Sequence, residues 1–130
     1  MKINKFIPLL LSTLLFTGCA SGKSDTHNTY RQITMNEAVA LMEKESGYII
    51  LDVRRPDEFA EGHIPNAINV ANESIGTAEI SELPNKKQLI LVYCRSGRRS
   101  KEAAEKLAKL GYTNIVEFGG ILDWQGEIVS

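Results

Sequence analysis

Cysteine and histidine are scarce in this chain of 130 residues, which contains two of each. Cys19 lies near the start of the sequence and Cys94 lies in its second half, so they do not form the closely spaced pair that thiol-disulfide exchange uses. The histidines, His27 and His63, are also far apart, whereas a structural zinc site gathers about four Cys or His ligands. The sequence therefore predicts neither a dithiol redox centre nor a bound metal.

An excess of charge of one sign is also absent. The 15 lysine and arginine residues are balanced by 16 aspartate and glutamate residues, which gives a formal net charge of -1. A nucleic-acid-binding domain usually carries a basic excess, so we expect no nucleic acid partner. With 43% hydrophobic residues, the chain has the length and composition of one ordinary domain.

The apolar run at residues 6–16 is too short to favour a transmembrane helix, which needs roughly 20 apolar residues. The run is interrupted by Pro8, Ser12 and Thr13. Two cations, Lys2 and Lys5, precede it, as in a secretory signal peptide. We therefore predict export of the chain.

The end of this run resembles the lipobox of bacterial lipoproteins and reads Leu15-Phe16-Thr17-Gly18-Cys19. The resemblance implies that residues 1–18 are removed as a signal peptide and that Cys19 is acylated, with palmitate among its acyl chains. Acylation by more than one chain would give stable, extracytoplasmic attachment to a bacterial cell membrane. Lipoboxes usually have Leu where this chain has Phe16, and an ordinary secretory signal with an incidental cysteine is the alternative.

Residues 19–29 are rich in small polar side chains, so we expect a flexible tether before the folded domain. Once Cys19 is acylated, Cys94 is the single free thiol of an exported chain. Such a thiol has no disulfide partner. It is either buried and inert or retained because it reacts.

Short apolar runs alternate with amphipathic segments at residues 30–130, which indicates one α/β domain. Thr34 and Glu37 form a capping-box pattern at the start of a predicted helix. A second helix is predicted over residues 100–110, before Gly111. Continuous apolar runs predict buried parallel strands at residues 48–53, 88–93 and 115–118.

The segment that joins the second predicted strand to the second predicted helix carries the free thiol. It reads Cys94-Arg95-Ser96-Gly97-Arg98-Arg99-Ser100. Ligands gather at the carboxyl ends of parallel strands, and a helix start presents free N–H groups and a positive dipole end. We therefore expect the Cys94 sulfur to be exposed and held as an anion. Gly97 would let the loop amides converge, and the three arginines would supply donors for an oxyanion.

Three ordered signatures in the sequence resemble those of the rhodanese-like sulfurtransferases. The signatures comprise residues 51–54, 58–59 and 62–67, then the loop at residues 94–100, and finally Gly119, Gly120 and Trp124. The resemblance implies a three-layer fold in which helices flank a central, mainly parallel sheet. That family usually has Gly where this chain has Asn66, a residue that tolerates a turn with positive φ.

The resemblance also implies an enzyme without a cofactor. Cys94 would attack the sulfane sulfur of a small anionic donor such as thiosulfate, hold it as a persulfide and pass it to a thiol or cyanide-like acceptor. The persulfide would lie in the loop formed by Arg95, Ser96, Gly97, Arg98 and Arg99. The supporting residues would be Asp52 and Arg54, for which a strand-end cap and a surface ion pair are the alternative roles.

Other functions remain open at this point. A cysteine phosphatase or arsenate reductase needs Cys-x5-Arg, whereas Arg99 comes one residue too early after Cys94. A papain-type pair would need His63 as its base, but His63 lies in a Gly-His-Ile-Pro turn where a structural hydrogen bond is expected. A non-catalytic binding module with the same fold is the main alternative, and the intact loop argues against it. The sequence does not indicate an oligomeric state.

Overall fold

A computed structural model describes residues 30–130 of the chain. The predicted signal peptide, the predicted lipidation site at Cys19 and the predicted tether lie outside the described residues. Within residues 30–130, no helix has both the length and the apolar character that crossing a membrane requires.

The described residues form five strands, three α-helices and two short 3-10 helices. In chain order, the strands and α-helices are β1 (Arg31–Gln32), α1 (Met35–Lys44), β2 (Ile49–Asp52), α2 (Pro56–Glu61), β3 (Ile68–Asn69), β4 (Ile90–Cys94), α3 (Arg98–Lys109) and β5 (Ile115–Gly120). The 3-10 helices are Asn72–Ser74 and Ile121–Asp123.

The five strands form one parallel sheet with the order β1-β5-β4-β2-β3. β4 lies at its centre, and every residue of β4 is buried. The register between β4 and β5 shifts between Val92 and Cys94, so that Cys94 lies opposite Gly120. This irregularity falls at the carboxyl end of β4, where the chain leaves the sheet.

Helices cover both faces of the sheet. α3 packs on the face that receives Val92 and Cys94, whereas α1 and α2 contribute to the core on the face that receives Leu91 and Tyr93. The alternation follows from the two-residue period of side chains along a strand. The predicted three-layer α/β fold with a central parallel sheet is confirmed.

Local signals in the sequence set the helix ends. Thr34 Oγ1 accepts the Glu37 N–H at 3.1 Å, and Glu37 Oε1 accepts the Thr34 N–H at 2.8 Å, so the predicted capping box is present. α3 starts directly after Gly97 and ends just before Gly111, whose φ values are +118° and +101°. Glycine adopts such left-handed values without a Cβ clash. The first residue of α3 is Arg98, earlier than predicted, so the helix start reaches into the loop that follows β4.

Candidate functional site

The Cys94 sulfur lies at the carboxyl end of β4, where the chain turns toward α3. The Gly97 N–H donates to Cys94 Sγ at 3.0 Å, and Ser100 Oγ lies 3.4 Å from the same atom. A loop amide therefore does point at the sulfur. Cys94 is only 1% exposed, however, and it belongs to the core cluster that α3 covers. The expectation of an exposed sulfur was wrong, because side-chain packing under α3 encloses it.

Backbone contacts fix the shape of the loop above the sulfur. Arg95 O accepts the Leu122 N–H at 3.2 Å, which joins the loop to the segment that follows β5. Gly97 makes the turn with its left-handed φ, and Ser96 is exposed. A Cβ atom on Gly120 would lie 2.1 Å from Arg95 O, so the loop packs where a side chain would otherwise stand. Gly120 thus permits the close approach of two backbone segments.

A buried glutamate is connected to the sulfur through Ser100. Glu117 is 2% exposed, and its Oε2 lies 2.5 Å from Ser100 Oγ. The same carboxylate accepts the Gly119 N–H at 3.0 Å and the Gln32 side-chain amide at 3.3 Å. The sequence alone predicts no role for either Ser100 or Glu117. The available signal was a charged residue inside the apolar run at residues 115–118, since a buried charge needs partners.

The three loop arginines differ in their surroundings. Arg99 binds Glu58 with a two-pronged contact of 2.7 Å and 3.2 Å. Arg98 pairs with Glu102 at 3.0 Å on the surface of α3, and Arg95 is exposed. Arg95 and Arg98 therefore lie at the solvent-facing rim of the loop, whereas Arg99 joins α3 to α2.

The contact between Arg99 and Glu58 strongly favours the ionised form of both groups. The hydrogen bond from Arg99 is the main cause that lowers the pKa of Glu58 from 4.5 to about 2. The same hydrogen bond is the main cause that raises the pKa of Arg99, and the charge of Cys94 adds a smaller contribution. Arg99 is therefore within electrostatic reach of the sulfur, although its donors are engaged by Glu58.

Asp52 and Arg54 form a buried ion pair at the end of β2. Arg54 Nη2 lies 2.7 Å from Asp52 Oδ2, and the Arg54 N–H donates to Asp52 Oδ1 at 2.9 Å. Arg54 Nη2 also donates to Gly62 O at 2.6 Å, which fastens the turn after α2. Among the described residues, neither side chain hydrogen-bonds to the loop at residues 94–100. Their connection to the site runs through α2, whose Glu58 binds α3.

His63 is engaged in structural contacts. Its Nδ1 lies 2.9 Å from Phe59 O, and its ring stacks on the Phe59 ring with 3.7 Å between centroids. The His63 backbone also pairs with Val129. The sequence predicts a structural role for His63 and not the role of a catalytic base. These contacts agree with that prediction.

Replacement of Gly120 by alanine should distort the loop. Because the new Cβ would lie 2.1 Å from Arg95 O, one backbone segment must move, and we expect a loss of about 1–3 kcal/mol in the free energy of unfolding. Urea unfolding measures the free energy of unfolding of each variant. Gly76→Ala is the matched control, since a Cβ there meets nothing within 4 Å. Equal stability of the two variants would contradict the proposed close packing.

Replacement of Glu58 by glutamine should remove an acid-sensitive part of the stability. Since the pKa of Glu58 falls from 4.5 to about 2 on folding, ionised Glu58 stabilises the fold above about pH 4.5 and loses this effect as the pH falls toward 2. Wild type should therefore lose more unfolding free energy than Glu58→Gln between about pH 5 and pH 3. The exposed Glu43→Gln variant should behave like wild type, and an unchanged acid dependence in Glu58→Gln would contradict the assignment.

Comparison with known proteins agrees with the fold. The sequence profile of the family described as Rhodanese-like domain matches residues 34–127. The thiosulfate sulfurtransferase PspE of Escherichia coli K12 is 34% identical over 73 residues, which cover 56% of this chain and 70% of PspE. The thiosulfate sulfurtransferase GlpE of Coxiella burnetii is 34% identical over 97 residues, which cover 74% of this chain and 88% of GlpE.

Solved structures give the same result. A rhodanese with anions from E. coli is similar with a TM-score of 0.58 and 31% identity, over 64% of this chain and 98% of that protein chain. The solution structure of a rhodanese-like domain from Anabaena has a TM-score of 0.68 and 25% identity, over 76% of this chain and 78% of its own. The chain therefore belongs to the rhodanese-like domain family.

Proposed function

We propose that this protein is a sulfurtransferase in which Cys94 carries sulfur as a persulfide between a small anionic donor and a thiol or cyanide-like acceptor. The observation that carries the proposal is the contact of 3.0 Å between the Gly97 N–H and Cys94 Sγ at the start of α3. An amide at a helix start stabilises a negative sulfur. The names of the relatives PspE and GlpE, both thiosulfate sulfurtransferases, support the same reaction class.

The reaction consists of two transfers at one sulfur atom. The Cys94 thiolate attacks the outer sulfur of thiosulfate, a new S–S bond forms, and sulfite leaves with the electron pair of the bond that breaks. The persulfide then gives its outer sulfur to the acceptor, which regenerates the thiolate. Because Cys94 is 1% exposed, the donor must displace part of the loop to reach it. Arg95 and Ser96 are the exposed loop residues closest to Cys94 in sequence. We assign this movement to Ser96 and to the side chain of Arg95, because the Arg95 carbonyl is held by the Leu122 N–H.

Phosphate ester hydrolysis is a weaker alternative. A cysteine phosphatase needs an arginine that is free to bind the phosphoryl oxygens, whereas Arg99 is engaged by Glu58 at 2.7 Å. Gly97 also ends the loop after three residues, since α3 starts at Arg98. The loop is therefore one residue shorter than a Cys-x5-Arg loop, and its helix start directs an amide at a single sulfur atom.

The proposed lipid anchor at Cys19 would hold this domain at an extracytoplasmic membrane surface. The proposal rests on the lipobox-like residues 15–19 alone. In that location, the sulfur donor and the sulfur acceptor would both have to be present outside the cytoplasm.

Incubation of the full chain with thiosulfate should add one sulfur atom at Cys94. Intact-protein and peptide mass spectrometry measure the addition, and cyanide should then remove the sulfur as thiocyanate. Cys94→Ser is the matched variant and should gain no sulfur. If wild type gains no sulfur and forms no thiocyanate, the binding-module alternative is favoured instead. Turnover of an aryl phosphate would favour the phosphatase alternative.

Replacement of Arg95 by glutamine should weaken the attraction of an anionic donor. Arg95 is exposed beside Cys94, and loss of one exposed charge should raise the KM for thiosulfate about two- to fivefold, with kcat within about twofold of wild type. Steady-state kinetics at low and high salt measure the effect, which salt should reduce. Lys87→Gln, an exposed charge before the other end of β4, is the control. An equal rise in KM for both variants would be evidence against a local role.

A further inference from the structure

We propose that Glu117 receives the proton of Cys94 through the hydroxyl group of Ser100, so that a buried proton relay produces the reactive thiolate. The inference rests on the proposed function, because it concerns how Cys94 becomes a nucleophile before it takes up sulfur. The three side chains form one chain of contacts, with 3.4 Å from Sγ to Ser100 Oγ and 2.5 Å from Oγ to Glu117 Oε2.

Burial leaves the Cys94 proton few acceptors. Cys94, Ser100 and Glu117 are 1%, 0% and 2% exposed, so bulk water has almost no access to any of them. Within residues 30–130, no ion pair joins Glu117 to a lysine, arginine or histidine. The carboxylate is therefore not neutralised by a cation.

A concerted transfer of two protons keeps each polar group of the relay hydrogen-bonded. At the start, the Cys94 S–H donates to Ser100 Oγ, and the Ser100 O–H donates to Glu117 Oε2. The S–H bond breaks and its electron pair stays on sulfur, while the proton binds Ser100 Oγ. The original Ser100 hydrogen moves to Oε2. In the product, the Ser100 hydroxyl donates to the thiolate, the neutral Glu117 carboxyl donates to Ser100, and no net charge has been created.

Backbone amides stabilise the two ends of the relay. The Gly97 N–H, 3.0 Å from Sγ, donates to the sulfur and stabilises its anion without any rearrangement at the moment of transfer. The Gly119 N–H, 3.0 Å from Glu117 Oε2, fixes the carboxyl group against the hydroxyl. Gln32 holds the other oxygen, Oε1, at 3.3 Å. The carboxyl group is thus positioned by three elements, β1, α3 and β5.

The other ionisable groups around the relay are less suitable acceptors. Burial, together with the charges of Glu105 and Glu117, raises the pKa of Tyr30, so Tyr30 keeps its own proton. Glu105 is exposed on α3 and has no described hydrogen bond to Ser100. Arg99 and Lys101 are cations and are not proton acceptors. Arg99 is bound to Glu58, and Lys101 Nζ lies beside Gly97. Glu117 is the acceptor that the hydrogen bonds reach.

The pH dependence of Cys94 alkylation distinguishes a relay from a merely structural role. In wild type the proton moves inside the site, so the rate with iodoacetamide should change less than about threefold between about pH 6 and pH 8. Glu117→Gln keeps the side-chain shape but cannot take the proton, which must then go to solvent. Its rate should therefore rise about tenfold per pH unit below the midpoint. Mass spectrometry of the Cys94 peptide from the full chain measures the rate.

Two further variants complete the test. Ser100→Ala breaks the path and should give the same steep profile as Glu117→Gln, with no further change in the double variant. Glu105→Gln removes an exposed carboxylate from the same helix and should keep the flat profile. A tenfold rise per pH unit in wild type overturns the relay, and this measurement does not depend on whether any variant folds.

The alkylation assay uses no sulfur donor, so its outcome is separate from that of the proposed function. A steep wild-type profile with normal sulfur uptake from thiosulfate rejects the relay alone. A flat wild-type profile that becomes steep in Glu117→Gln supports the relay, even where thiosulfate adds no sulfur and the sulfurtransferase proposal fails.

Discussion

The short turn between β4 and α3 is the constraint on which the site depends. β4 ends at Cys94 and α3 starts at Arg98, so the residues from Arg95 to Gly97 must reverse the chain. Gly97 makes this reversal possible with a φ of +118°. The same backbone conformation directs the Gly97 N–H at the sulfur. The backbone geometry that connects strand to helix is therefore also the geometry that directs an amide at the sulfur.

The surroundings of this turn are held by buried or partly buried charged contacts. Glu58 on α2 binds Arg99 on α3, and the ion pair of Asp52 with Arg54 fastens the turn that follows α2. Loss of one partner from such a pair leaves a buried charge without compensation. This lowers the free energy of unfolding more than replacement of both partners by apolar residues does. A further buried carboxylate, Glu117, is compensated within residues 30–130 by hydrogen-bond donors and by no ion pair. Its contact with Ser100 is the one on which the proposed proton relay rests.

Sequence signals were sufficient for the elements that are marked locally. Apolar runs predicted β2, β4 and β5, and the capping box and helix-ending glycine predicted α1 and α3. β1 and β3 have two residues each, so they carry no periodic pattern and exist through pairing with neighbouring strands. The loop at residues 94–100 was predictable because its residues are contiguous. The contacts of Glu58 with Arg99 and of Glu117 with Ser100 join distant segments and depend on packing, as does the burial of the sulfur.

In the proposed intermediate, Cys94 holds a second sulfur atom next to the Gly97 amide. A crystal structure of the protein after treatment with thiosulfate would show this atom. We expect electron density for one additional atom bonded to Cys94 Sγ, with the Gly97 N–H directed at the modified sulfur. Density for an unmodified Cys94 in a protein that has taken up sulfur at another residue would contradict it.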